Sequence, residues 1–506
     1  MSIMKKNVIK YLIMFGFLLL FFTKICPIVP FVGDDWYFVG SMRQPIPYSG
    51  IFNPSKIFPE ILQALCGYIG AYIIYPLTHD YVGSLALSAA IIVSLFIALL
   101  CYLFNSFLVK RLNINFKKST IYESLFLIIF FILFKRENGN SYYGFWSVNF
   151  TCYFNYIIPG IINACIVLYM MSFKNFQEKF EKSSYLYKGF FAICIYFAIF
   201  SSIQFNIILA SYALVSIFEL AIEKFKKNYK KMDKIKCIIK KSWVFLLIIV
   251  LWLIAIYYDS TGLRGKMLKH TNWFTVDNFI KTINNLKALY ILCYKPLIVI
   301  FMLGLISLII YSIKNKTIKK FRYAILTGSL LIINTLYLIV LYMKADSGYA
   351  SRVDATWAII FYLVLFIMLI IIMCNKIFKF TEIFIPIFVV IFGIAGFNMN
   401  YPFEQSVYDA VEAKQIDNYI INQIVEADKA GHCFVNVKVP KNDSDTNWPQ
   451  PYNMALWLQN TLYSHKIIRT RMRIEFIPDK KLNKKLYKKN YSSVPYIDFE
   501  RSKYLK

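Results

Sequence analysis

Apolar runs of about 20 residues, the length that spans a bilayer core, recur along this chain between short lysine-rich loops. Hydrocarbon offers no partner to a backbone N–H or C=O, so such runs must close their hydrogen bonds internally, as helices. The expected fold is therefore an all-α polytopic membrane protein. Its formal net charge of +29 over 506 residues does not point to nucleic acid, because much of the lysine lies in loops between apolar runs. The densest cluster runs from Lys224 to Lys241, a pattern that sets orientation and attracts anionic headgroups.

The ten Cys lie mostly inside apolar runs without CxxC pairs, and the four His show no ligand spacing, so neither a disulfide framework nor a thiolate metal site is indicated. The first run, Val8 to Pro30, is too long for a signal peptide and lacks a small-x-small cleavage site, which makes it a retained helix. Lys5, Lys6 and Lys10 mark its start as cytoplasmic.

Charge and parity then predict a path of about eleven crossings, with the N-terminus inside and the C-terminus outside. After the first helix come Tyr81 to Asn105, Ile121 to Phe134 and Phe150 to Phe173. Gly189 to Ile222 has basic loops on both sides, so it reads as a hairpin with a polar tip, Ser201 to Asn206. Trp243 to Tyr258, Leu289 to Tyr311, Tyr323 to Met343, Ala355 to Cys374 and Ile383 to Phe397 complete the path. Pro45 to Leu77 does not fit the parity and reads as an interfacial helix in a long first outer loop, residues 33–80.

The membrane domain thus covers residues 1–397. A small extracytoplasmic α/β domain follows over 398–480, with a basic tail at 481–506. In it Glu404 to Lys429 reads as an amphipathic helix, Cys433 to Val439 as a strand, Met454 to Tyr463 as a helix and Ile467 to Ile477 as a second strand.

Four outward features fall on one side. They are Asp34-Asp35; Lys135 to Tyr143 with Glu137, then Trp146, Asn149 and Asn155-Tyr156; Asp259 to Lys266 with Arg264, followed by Lys269 and His270; and Asp346 to Asp354 with Arg352. Carboxylates at a membrane interface can take a proton from a hydroxyl or hold a divalent cation such as Mg or Mn. Arg264, between Gly262 and Gly265, offers a planar fork for phosphate, and Trp36, Tyr142, Tyr143 and Trp146 suit sugar rings or interfaces alike. The hairpin tip adds Gln204 and Asn206. No Rossmann fingerprint, P-loop or HExxH accompanies them.

On Asp34-Asp35, Asn155-Tyr156, Gly262-Leu263-Arg264 and Arg352, the chain resembles the GT-C superfamily of integral-membrane glycosyltransferases. Within it, the chain is similar to bacterial multi-pass families of unknown function related to O-antigen glucosyltransferases. It departs from them in carrying Gln204 and Asn206 where a Glu is frequent, and Ser260-Thr261 where Pro-Gly is common. The resemblance implies inverting transfer of a sugar from a polyprenyl-phosphate carrier to a cell-envelope glycan or lipid acceptor, on the outer face of the bacterial cytoplasmic membrane. One of Asp34 and Asp35, with a slight preference for Asp35, would be the base, and the other would position the acceptor or help hold a metal. Arg264, Lys266 and Arg352 would hold the phosphate, with Glu137, Asn155, Tyr156, Gln204 and Asn206 in the substrate site. An O-antigen polymerase and a lipid-linked-sugar flippase or transporter are the alternatives. The polymerase chemistry does not call for an acidic pair, and the flippase predicts repeats or charged midplane helices that the chain does not show.

Overall fold

A computed structural model describes residues 3–134, 144–147, 149–226, 231–268, 273–315, 321–378, 410–442 and 444–486, together with Ile387 and Ile391. It is 76% helical, with eight helices long and apolar enough to cross a membrane among the described residues and one small two-stranded sheet. The chain is a multi-pass membrane protein of mostly helical fold.

Helix α1 (Ile3–Leu20) opens into a wide turn at Phe21–Ile25 and then an extended stretch. α2 (Gly33–Gly40) carries the two aspartates in its first turn. α3 (Ile57–Ile69) continues through a wide turn at Gly70–Ile74. α4 (Tyr81–Leu112) and α5 (Phe116–Ile132) follow, then a wide turn at Tyr153–Ile157 leads into α6 (Ile158–Met171). The middle residue of each wide turn (Thr23, Tyr72 and Asn155) stands four before a proline: Pro27, Pro76 and Pro159. Proline has no N–H for that carbonyl, so the helix takes in an extra residue per turn there.

The short α7 (Phe176–Glu181) precedes α8 (Tyr185–Ile199) and α9 (Ile207–Phe225), which form the expected helical hairpin. Its turn falls on Phe200 to Asn206, where Asn206 Nδ2 donates to Ile199 O at 2.9 Å. Asn163 Nδ2, on α6, donates to Ala198 O at 2.9 Å and so holds the tip against the bundle. α10 (Lys231–Thr261) rises beside the hairpin to α11 (Leu263–Met267). The amphipathic α12 (Val276–Ile291) lies over the same end. The crossing helix that follows, α13 (Lys295–Asn315), begins at Lys295 rather than at Leu289, because the chain breaks at Leu292 to Tyr294, where Cys293 bridges Phe134 and Tyr294 N donates to Leu133 O at 2.7 Å. α14 (Arg322–Lys344) and α15 (Trp357–Ile377) complete the described bundle.

Seven of the eight candidate spans coincide with expected crossings; the eighth is Ile57–Thr78, read from the sequence as interfacial. Its helix packs antiparallel on the first half of α4, with Ser88 Oγ donating to Cys66 O at 2.8 Å. Its first residue meets the hairpin tip, Ile57 N to Phe200 O at 2.9 Å, and its far end leads to Asp80 beside the C-terminal domain. α5 is 17 residues, α8 is 15, and α9 carries Glu219, Glu223 and Lys224, so none of the three counts as a full apolar span. The expected crossing Ile383 to Phe397 lies outside the described residues, apart from Ile387 and Ile391.

The C-terminal domain runs α16 (Ala410–Lys429), β1 (Phe434–Pro440), α17 (Met454–Ser464), β2 (Arg473–Asp479) and α18 (Lys480–Leu486). The strands pair in parallel, Phe434 opposite Arg473, with α17 as the crossover. The second strand begins six residues later than Ile467. The segment before it is spent on a turn in which Asp428 accepts the backbone N–H groups of Arg469 and Thr470. This domain docks on α2 and the start of α4. Thr461 Oγ1 donates to Trp36 O, His465 Nδ1 meets Tyr81 Oη at 2.6 Å, and Lys414 pairs with Asp80.

Candidate functional site

The two adjacent aspartates have opposite surroundings. Asp35 is fully buried. One of its oxygens accepts the N–H groups of Phe31 at 2.9 Å and Val32 at 3.3 Å; the other accepts Thr151 N at 2.7 Å and the Thr151 hydroxyl. Asp35 thus closes the first turn of its own helix and ties the start of α2 to the segment entering α6. Burial pushes its pKa up to about 7, against the pull of the Thr151 and Phe31 hydrogen bonds. Both oxygens are occupied, so the pair does not fit a divalent cation. Among the described residues no group of three or more His, Cys, Asp or Glu is placed to hold a metal ion.

Asp34 points the other way and reaches solvent. Burial by the surrounding loops raises its pKa, and the nearby Lys56 and Arg264 charges oppose the rise. These cations line a cavity of about 210 Å³ between the start of α3, the hairpin tip and the upper ends of α10 and α14. Lys344 joins them, and Asp259 is the single acid in the lining among the described residues. Asp259 Oδ1 accepts the Ser55 hydroxyl at 2.9 Å, which keeps it at the wall. Burial pushes the Lys56 ammonium down to about 8, with Glu60 opposing. The opposite wall is apolar, made of Ile256, Tyr337, Val340 and Leu341 on helices whose outer faces expose Leu253, Leu336 and other large apolar side chains. A surplus of positive charge at the neck of an apolar slot fits an amphiphile with an anionic head.

Of the residues singled out from sequence, Arg264, Tyr156 and Gln204 line this cavity. Tyr156 lies between two cations, Lys56 Nζ at 5.6 Å and Arg352 Cζ at 4.8 Å from its ring centre. Arg352 is outside the lining and makes a fork to the buried Asp354, at 2.7 and 3.1 Å. Lys266 is exposed and turned away from the cavity wall. Asn155 is buried, donating to Gln63 Oε1 at 3.2 Å, and Asn206 is spent on the tip. Trp36 and Trp146 are buried in the core, so neither ring offers a face to a sugar. Gly262 is small for the protein's own sake, since a Cβ there would lie 2.7 Å from Pro54 Cδ and 2.9 Å from Ile51 O. Glu137, Tyr142, Tyr143, Lys269 and His270 lie outside the described residues.

Sequence reasoning missed Lys56 and Lys344. Lys56 left a signal, being the lone charge between Arg43 and Glu60 in a proline-rich stretch. Lys344 ends an apolar helix, where a lysine ordinarily reads as a headgroup anchor. No family model matches the chain, and no curated protein or solved structure is significantly similar to it.

Proposed function

We propose that this protein is an integral-membrane glycosyltransferase of GT-C type, moving a sugar from a polyprenyl-phosphate carrier to an envelope glycan or lipid acceptor outside the cytoplasmic membrane. The observation that carries the reading is the cavity, in which Lys56, Arg264 and Lys344 face one acid and an apolar wall leads to the lipid-facing helices. The carrier's phosphate would sit among the three cations with its polyprenyl tail along α10 and α14. Charges fixed where negative charge develops stabilise the departing phosphate.

In this reading Asp34, not Asp35, is the base, because only Asp34 has a carboxylate not already filled by protein donors. The acceptor hydroxyl gives its proton to Asp34 as its oxygen bonds to the anomeric carbon, on the face opposite the phosphate. The bond from that carbon to the phosphate oxygen breaks, and its electron pair leaves on the phosphate. The configuration inverts. No step needs a metal.

The topology of this reading has about eleven crossings, so reporter fusions should place residues 50, 265 and 450 outside and residue 232 inside. The direct test is solvent extraction of the purified protein and mass spectrometry of what it carries. A polyprenyl-phosphate sugar should be found in the wild type and depleted in Arg264→Ala. A co-purified lipid bearing no sugar, or equal retention in Arg264→Ala, would overturn the assignment.

A further inference from the structure

A second cleft, of about 610 Å³, lies on the other side of residues 51–56 from the cationic cavity. Asn53 lines both, and the Phe52 ring on the cleft side lies 5.0 Å beneath the Arg264 guanidinium on the cavity side. Tyr37, which lines the cleft, stands one helical turn after Asp34 and shares its face of α2. Asp34 lines neither hollow: the Lys56 and Arg264 charges act on it from the cavity side, and Tyr37 continues its helix face into the cleft across the ridge of residues 51–56.

The cleft is neither cationic nor simply greasy. Arg43 and Glu60 meet at 2.7 Å and cancel each other at its floor. Ser41, Gln44 and Asn53 supply hydroxyl and amide groups. Aromatic faces stand open to it: Tyr48 is 64% exposed, Phe52 46% and Tyr37 43%. The last of these meets Trp457 of the C-terminal domain at 5.4 Å between ring centres. Flat rings beside neutral hydrogen-bonding groups match the axial C–H faces and hydroxyls of pyranose sugars. A lipid anchor would have no use for the amides or for the paired charges.

We infer that the cleft bordered by Tyr37, Tyr48, Phe52 and Gln44 binds a neutral pyranose glycan. Its role as the seat of the acceptor rests on the transferase reading above; its binding of glycan does not. A hydroxyl of a sugar lying on Tyr37 would face Asp34, with the donor's phosphate across the ridge at Arg264.

The experiment uses the full chain in nanodiscs and saturation-transfer NMR with maltotetraose, cellotetraose and chitotetraose as probes. At least one probe should receive saturation on its ring protons, and Tyr48→Ala should weaken it by about tenfold or more, equivalent to one lost stacking contact. Tyr48→Phe, which keeps the ring, should retain most of the binding, and Lys266→Ala should leave it unchanged. Absence of transfer to every probe, or equal binding in Tyr48→Ala, overturns the inference. A photoreactive benzoylphenylalanine at position 48 supplies a second arm, since a phospholipid adduct there would make the cleft a membrane anchor. Neither donor nor turnover enters these measurements. Glycan binding without any sugar transfer would sink the transferase and leave the cleft, and transfer without glycan binding would do the reverse.

Discussion

The two ends of the helix bundle use charge in opposite ways. At the end away from the cavity the buried Glu123 carboxylate has a counter-charge. Lys10 meets Glu123 at 2.6 Å and Asn105 donates to the same carboxylate at 2.7 Å, while at the exposed surface Arg322 reaches Glu219 at 2.7 Å. At the cavity end Lys56, Arg264 and Lys344 stand in one lining with Asp259, and Glu60 and Asp34 act on Lys56 from outside it. Gathering cations beside one cavity costs folding energy, and a ligand of opposite sign would offset it. The Glu123 pair serves assembly, whereas the cations at the cavity end support the ligand-binding reading proposed above.

The sharpest way to break that contrast is at Asp34 and Asp35. Loss of a general base typically slows a reaction by about two to four powers of ten, so Asp34→Asn should insert normally and lose sugar transfer on that scale. Asp35→Asn would instead set an amide against four donors, and its first deficit should be folded yield in detergent. Full transfer by Asp34→Asn would end the catalytic assignment.

Next in size is the paired end. Removing one partner of a buried pair costs about 3–5 kcal/mol, so Glu123→Ala should lower thermal stability sharply while leaving turnover per folded molecule intact. Equal losses of stability and turnover would erase the distinction between the ends.

A smaller effect is expected from pH. Lys56 has its pKa lowered to about 8 by burial, so its charge is present below that pH and is lost as the pH rises through it. Donor affinity should weaken between about pH 7 and 9, and Lys56→Arg, which keeps its charge throughout, should flatten the profile. The smallest change should come from Lys266→Ala, roughly twofold or less in donor affinity, as for an exposed residue away from the wall.

Much of the fold was legible because each decisive signal is local. The hairpin is an example: a run too long for one helix, with its only polar cluster at residues 201–206, turned where that cluster falls. The strands and helices of the C-terminal domain followed period and turn residues in the same way, apart from the late start of the second strand. The candidate site was legible only in part. Arg264, Tyr156 and Gln204 line the cavity, but Lys266 and Arg352 carry the same charge in the same kind of loop and do not. What separates them is a partner in space: Arg352 has Asp354, and Lys266 has water. The opposite fates of Asp34 and Asp35 were likewise hidden, because the donor that locks Asp35 is Thr151, 116 residues away.

The grip of the C-terminal domain on α2 has a consequence for how the protein is made. A methyl group at Gly40 would lie 2.6 Å from the Thr461 Cα, so the helix bearing Asp34 is pressed against a surface that the ribosome delivers more than four hundred residues later. The acid is thus made well before the surface that backs its helix. A nascent chain halted between α9 and α17 therefore carries both aspartates and the hairpin tip without the surface that backs α2.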